Sequence, residues 1–277
     1  VVGAALIVSS RLQASQARAQ RLRTDESVES PWTARRDLGP TILTAAVVVG
    51  LLLFPIATLV QRSLTTASGL GLDHYANLAT TGGGTLSVPV WEAVGNSLRT
   101  ASVATVLALV LGLLVSLVVS RNPRNEAGRR ALGLLDAAFM LPLGVSAVTV
   151  GFGFLITLNR PPLDLRSSLV LVPIAQAIVA LPLVVRVLLP VLRAIDPRLR
   201  EAAAVLGASP GKVLRDIDLA FLGRGLGLAT GFAFATALGE FGATSFLARP
   251  DQPTLPVVVF RLIGRPGLEN QGMGFAA

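Results

Sequence analysis

Four stretches of the chain, residues 41–60, 100–120, 137–159 and 167–185, contain no Asp, Glu, Lys or Arg. Each is close to the ~20 residues that carry a helix across ~30 Å of hydrocarbon. A fifth apolar stretch, 225–239, continues to residue 248 with Glu240 as its one charged residue. The remaining composition agrees with these runs. Charged residues make up 14% of the 277 positions, where a soluble domain carries about a quarter, and mean hydropathy is +0.67. A soluble enzyme is excluded on this ground. The expected fold class is all-α, a polytopic bundle of membrane helices. The chain has no Cys, which excludes disulfides, thiolate metal sites and thiol catalysis. His74 is the sole histidine, so no histidine metal cluster can form.

The basic residues set the topology. Twenty-three of the 24 are Arg. Arg11, Arg18, Arg21, Arg23, Arg35 and Arg36 precede the first run, and Arg121, Arg124, Arg129 and Arg130 follow the second. Arg186, Arg193, Arg198, Arg200, Lys212, Arg215 and Arg224 lie between the fourth and the fifth. These three groups hold 17 of the 24, so alternate connections are rich and poor in positive charge, as the positive-inside rule requires. They read as cytoplasmic, whereas 61–99 and 249–277 read as external. The net charge of +8 therefore reports topology, and no nucleic-acid partner is expected.

Residues 1–10 are expected to be the end of a preceding membrane helix, 11–38 a basic cytoplasmic linker, and 39–277 the transmembrane domain. The chain starts inside an apolar run, Val1 to Val8, and five spans leave its end outside. Both features lead to the expectation of a piece cut from a longer chain. Gly227 and Gly231 form a GxxxG pair, a spacing that lets helix backbones approach, and ordinary bundle packing is the expected role. Acidic or histidine relays inside the spans are sparse, which disfavours a proton-coupled carrier.

The most informative connection is 196–220, DPRLREAAAVLGASPGKVLRDIDLA. Asp196-Pro197 is a helix start, with a capping acceptor followed by Pro at the first helical position. Gly207 is placed to end that helix in the left-handed region, and Ser209-Pro210 opens a second helix through Ile217. Three readings compete: a solvated connector, a DNA-binding helix-turn-helix, and a knob that docks on another protein through Ala202, Ala203 and Ala204. A membrane span follows within a few residues, leaving no room for a three-helix DNA-binding domain. Gly207 to Val213 superficially resembles a phosphate-binding loop. It has three residues between its glycines instead of four, and Val213 where Ser or Thr would hold magnesium.

Glu201-Ala202-Ala203, Gly207 six residues after the Glu, then Ile217 and Leu219 resemble the EAA motif of permease subunits of bacterial type I ABC importers. Ala220 stands where that motif closes with Pro. Asn96-Ser97-Leu98 is similar to the start of the family's permease core. The resemblance implies a coupling helix that sits in a cleft of a separate ATPase subunit dimer, which binds the ATP and magnesium. It also implies an extracytoplasmic substrate-binding protein, a second permease half or subunit, surrounding lipid, and residence in the bacterial cytoplasmic membrane. No cofactor is expected in this chain, no catalytic residue, and no enzyme activity of its own. Substrate would pass by alternating access.

Gly239-Glu240-Phe241-Gly242-Ala243-Thr244 ends the fifth run, and the string is similar to that of ferric iron and thiamine permeases, and also of molybdate and sulfate permeases. An acidic residue at membrane depth is a functional candidate, because it is costly unless paired or hydrated. Glu240 is read with equal weight as a pathway or gate residue and as a cap at the external interface. Thr254-Leu255-Pro256 and Arg261 to Gly267 resemble the ferric iron and thiamine group more closely, so ferric iron or thiamine is the expected cargo. An oxyanion permease and an ion-coupled secondary carrier are the alternatives.

Overall fold

A computed structural model describes residues 33–121, 125–159, 165 and 168–277. The expected helix end at 1–10 and most of the linker 11–38 lie outside the described residues. The chain divides at Gln61/Arg62 into two units. In the first, α1 (Ala34–Val48) passes through a π turn, Val49–Leu53, into α2 (Phe54–Leu64). Together they make an apolar helix over Asp37–Leu64. The π turn sits just before Pro55, which has no N–H to donate to the preceding turn.

The core of the second unit is three long helices, α4 (Val90–Val119), α7 (Leu171–Ala194) and α10 (Leu219–Leu238). Small residues bring them together. Ala101, Ala104 and Ala108 of α4, Ala177 and Ala180 of α7, and Ala229, Ala233 and Ala237 of α10 are all buried in one cluster with Val184, Leu188 and Leu222. In lipid the hydrophobic effect gives helices no reason to associate, so close van der Waals contact between small residues supplies the attraction. Gly112 marks the tightest approach: a Cβ there would lie 2.5 Å from Val184 Cγ1. Gly227 and Gly231 face open space instead. The alanines on the opposite face of the helix, two residues on, carry the packing that the GxxxG spacing suggested.

Among the described residues four helices are long and apolar enough to cross a membrane. Where a single span was expected over 137–159, the chain forms a pair of helices bent at a short break, which are long and apolar enough for a span only when taken together. α5 (Glu126–Met140) leads into a short 3₁₀ turn, Leu141–Gly144, and α6 (Ala147–Thr157) then departs at 100°. Pro142 and Gly144 lie in the break. Pro removes a helix N–H and Gly lowers helix propensity, and the apolar run around them conceals both. α5 packs Leu135, Phe139 and Met140 on Val185 and Leu189 of α7. α6 packs Phe154 and Leu155 beside Leu171, Val172 and Leu247. The bent pair therefore meets α7 at two separate places, α5 toward its C-terminal half and α6 at its N-terminal end.

The last span also differs from the expected 225–248. A short α9 (Pro210–Val213) and a π turn, Leu214–Asp218, run unbroken into α10, giving one helix over Pro210–Leu238. Ala220 at the motif's usual Pro position permits this continuity. The helix stops at Leu238, and residues 239–243 turn into α11 (Thr244–Leu247).

At the end opposite 196–220, which the arginine count reads as external, a two-residue hairpin (β1 Thr65–Thr66, β2 Gly69–Leu70) and α3 (Asp73–Asn77) meet α12 (Leu255–Ile263) and α13 (Leu268–Ala276). Beside them Leu78 and Leu86, Val90 and Ala93 of α4, Val258 and Leu262 of α12 and Met273 of α13 form one core. His74 is buried there, its Nε2 2.9 Å from the Thr65 carbonyl oxygen and its ring closed over Gly272. A side chain at Gly272 would collide with that ring. Asn77 donates to Glu269 at 3.0 Å, and Ser87 donates to the Pro250 carbonyl.

Candidate functional site

The connection 196–220 folds as its sequence indicates. Asp196 accepts from the Arg198 N–H at 2.9 Å and starts α8 (Pro197–Val205). Gly207 ends it with φ +82°. The Gly207 N–H donates to the Ala204 carbonyl at 3.0 Å and the Ala208 N–H to that of Ala203 at 2.9 Å. This pair of bonds is a Schellman cap, and its left-handed residue is the reason for glycine at 207.

The motif residues separate into two places. Glu201, Ala202 and Gly207 are exposed and Ala203 is half-buried, all at the tip of the connection. Val205 and Leu206 beside them are each 87% exposed. Among the described residues Glu201 makes no ion pair. Ile217 and Leu219 lie instead at the root, half-buried against the alanine-rich core.

Between them lies Asp218, which the sequence reading passed over. Its side chain is fully buried. Its Oδ1 accepts from Arg200 Nε at 2.7 Å and its Oδ2 from Arg121 Nη2 at 2.8 Å. Arg200 also donates through Nη2 to the Leu192 carbonyl at 3.3 Å. One carboxylate thus joins the helix of the tip, the ends of α4 and α7, and the base of α10. A weaker contact of the same end pairs Arg193 with Asp136 at 3.8 Å. The available signal was an acidic residue between two apolar motif positions, Ile217 and Leu219. Arg121 and Arg200 had been read as topology alone.

Glu240 is 6% exposed, and its carboxylate is used within its own turn. Oε1 accepts from the Ala243 N–H at 2.7 Å, and Oε2 accepts from the Thr244 N–H at 3.0 Å and from the Thr244 hydroxyl. The turn is pressed against α6, since a Cβ at Gly151 would lie 2.5 Å from Ala243 Cα. Neighbouring the same end is a cavity of about 200 Å³ lined by Asn96, Arg99, Thr100, Val103, Leu169, Val170, Pro173 and Gln252. Arg99 is exposed and, among the described residues, makes no ion pair. Asn96 and Ser97 also fix the external segment: Asn96 donates to the Pro253 carbonyl at 3.3 Å and Ser97 Oγ accepts from the Leu255 N–H at 2.7 Å. Among the described residues no cluster of His, Cys, Asp or Glu could hold a metal ion.

No family model matches the chain. It is similar to PhnV of Salmonella typhimurium, a candidate 2-aminoethylphosphonate transport system permease protein, with 25% identity over 245 residues, 86% of this chain and 88% of that protein. The molybdenum transport system permease protein ModB of Escherichia coli is 31% identical over 199 residues, covering 67% of this chain and 85% of ModB. The thiamine transport system permease protein ThiP of Escherichia coli is 31% identical over 180 residues, 65% of this chain and 33% of ThiP. With four helices long and apolar enough to cross a membrane among its described residues, the chain belongs to the permeases of type I ABC importers, multi-pass proteins of the bacterial inner membrane that are not themselves enzymes.

Proposed function

We propose that the tip of 196–220 docks on a separate dimer of ABC ATPase subunits, and that their motion drives alternating access through this permease. The observation that carries this reading is the exposure of Val205 and Leu206, 87% each, on a short helix whose root is immobilised. Apolar side chains at the tip of a connection read as cytoplasmic mark a protein contact. Glu201 is free to pair with a cation on the rim of the partner, and Ala202 and Ala203 allow close approach. ATP and magnesium belong to that partner, and this chain holds no cofactor. An extracytoplasmic binding protein would deliver cargo to the outer mouth, and a second permease half or subunit would complete the pathway within the lipid. Glu240 then serves the outer mouth by holding the turn 239–244 against α6.

For the cargo, the outer cavity favours an oxyanion over ferric iron or thiamine. Arg99 presents a guanidinium at its wall that makes no ion pair among the described residues, and such a cation attracts anions and repels cations. The relatives named for 2-aminoethylphosphonate and molybdenum transport lend support, since each aligns over at least 67% of this chain. Thiamine is the second reading, favoured by the resemblance of Thr254-Leu255-Pro256 and of Arg261 to Gly267 and by the thiamine relative.

The test is uptake of labelled molybdate, 2-aminoethylphosphonate, thiamine and ferric iron by cells carrying the intact parent protein, with and without Glu201→Arg. Parent-dependent uptake of an oxyanion that collapses in the mutant at normal protein levels is the expected result. Thiamine or iron uptake alone would remove the oxyanion reading. Parent-dependent uptake indifferent to Glu201→Arg would contradict the docking role.

A further inference from the structure

Docking explains how a partner grips the tip. It does not explain how displacement of α8, nine residues joined to its neighbours by short turns, reaches helices that cross the membrane. The charged centre at the root supplies that link. Asp218 has no exposed side-chain surface, whereas Arg200 is 18% and Arg121 49% exposed. Each carboxylate oxygen has its own guanidinium, so neither arginine can swing away without leaving a buried lone pair unmet. Arg200 uses a second nitrogen on the Leu192 carbonyl near the end of α7. The π turn Leu214–Asp218 ends at this carboxylate, and the Leu219 N–H donates to the Leu214 carbonyl in its wider ring. Such a turn shifts the helix register by one residue and often accompanies functional positions.

We propose that Asp218 is the positioning residue that makes α8 and the adjacent ends of α4, α7 and α10 move as one body, so that movement of the tip is handed to the spans. The assignment rests on the docking role proposed for the tip. The arrangement contains two cations and one anion. Removing the anion therefore leaves Arg200 and Arg121 repelling one another where a clamp had been, while the exposed tip keeps every residue a partner would touch. Docking and transmission are thereby separable: Glu201 serves the first and Asp218 the second.

The experiment uses the full permease assembled with its ATPase subunits in lipid nanodiscs. The chain has no Cys, so spin labels at Leu114→Cys on α4 and Arg198→Cys on α8 report one distance, read without nucleotide and with ATP plus vanadate. With Asp218 intact that distance stays the same in both states. In Asp218→Asn it becomes nucleotide-dependent while the ATPase remains bound, and the uptake of molybdate per ATP hydrolysed, or of whichever tested solute the parent imports, falls about tenfold, within the usual span of inter-site coupling. Asp218→Glu restores the charge and is expected to recover most of the lost coupling. Where Asp218→Asn fails to accumulate, Arg200→Gln carries the same test, since it frees α8 and leaves the Asp218–Arg121 pair in place. A mere loss of stability lowers the yield and leaves the two states alike. A distance that ignores nucleotide in both Asp218→Asn and Arg200→Gln, with native coupling, overturns the clamp. Glu201→Arg separates the two ideas. If it fails to release the ATPase, the docking role falls and the clamp with it. If it releases the ATPase while the Asp218 variants behave as native, the clamp alone falls.

Discussion

The two ends of the bundle are held by different forces. At the end bearing 196–220, opposite charges join three helix ends and the short helix α8 through Asp218, Arg200 and Arg121. At the other end the contacts are close and mostly uncharged. Gly151 lies against Ala243, Gly272 against His74 and Gly274 against Ile263, with backbone hydrogen bonds to Asn96 and Ser97. Hydrogen-bonded charges tie separate helices into one unit that can shift together, whereas a glycine contact fails after a shift of a fraction of an ångström. The difference suits an end that must transmit motion and an end that must hold a mouth in shape.

The largest expected effect comes from breaking the charged end. Asp218→Ala leaves two guanidinium groups facing one another, one of them largely buried, and removing one partner of a buried pair costs about 3–5 kcal/mol. Thermal unfolding of the purified permease should show the loss, and Asp218→Glu should recover much of it. The uncharged end breaks by crowding. Gly151→Ala sets a methyl 2.5 Å from the Ala243 backbone, and overpacking of this kind costs about 1–3 kcal/mol. The same assay should find Gly227→Ala near neutral, because nothing lies within 4 Å of the added Cβ.

Gly207→Ala sharpens the comparison at the tip. At φ +82° an L-residue costs about 1–2 kcal/mol, so helix 197–205 should fray locally, read as faster amide exchange at Ala203 to Ala208, with little change in global unfolding. The smallest effect belongs to the exposed pair beside the mouth. Arg249 donates to both oxygens of Asp251, at 3.0 and 2.8 Å, and this bonding holds the Asp251 carboxyl below its ordinary value. A depressed carboxyl contributes stability above its unfolded pKa, and that contribution disappears as pH falls through the folded one. Because the pair is exposed, Asp251→Asn should change unfolding only slightly at neutral pH and not at all in acid, as a pH series of melting temperatures would show.

Much of this was legible in the sequence because the signals are local. Charge-free runs revealed the spans, and Asp196, Pro197 and Gly207 the bounds of α8. What escaped notice depends on distant partners or on masking. Asp218 is 97 residues from Arg121, and in isolation an acid near a membrane boundary reads as solvated. The break at Leu141–Gly144 lies in an apolar run whose hydropathy is the same whether the helix is straight or bent. Glu240 was weighed equally as a gate and a cap; its bonds to Ala243 and Thr244 depend on a turn that the continuous run to residue 248 concealed.

The central claim is that 196–220 receives an ATPase, and a single cross-linkable position tests it most directly. In the Cys-free chain, Ala204→Cys carrying a photoreactive label should capture an ATPase subunit in membranes from cells making the whole transporter. Leu268→Cys, on α13 at the opposite end of the bundle, should not. Capture at 204 that Glu201→Arg abolishes is the predicted result. No capture at 204, in membranes where the permease and its ATPase are both present and transport proceeds, would contradict the account.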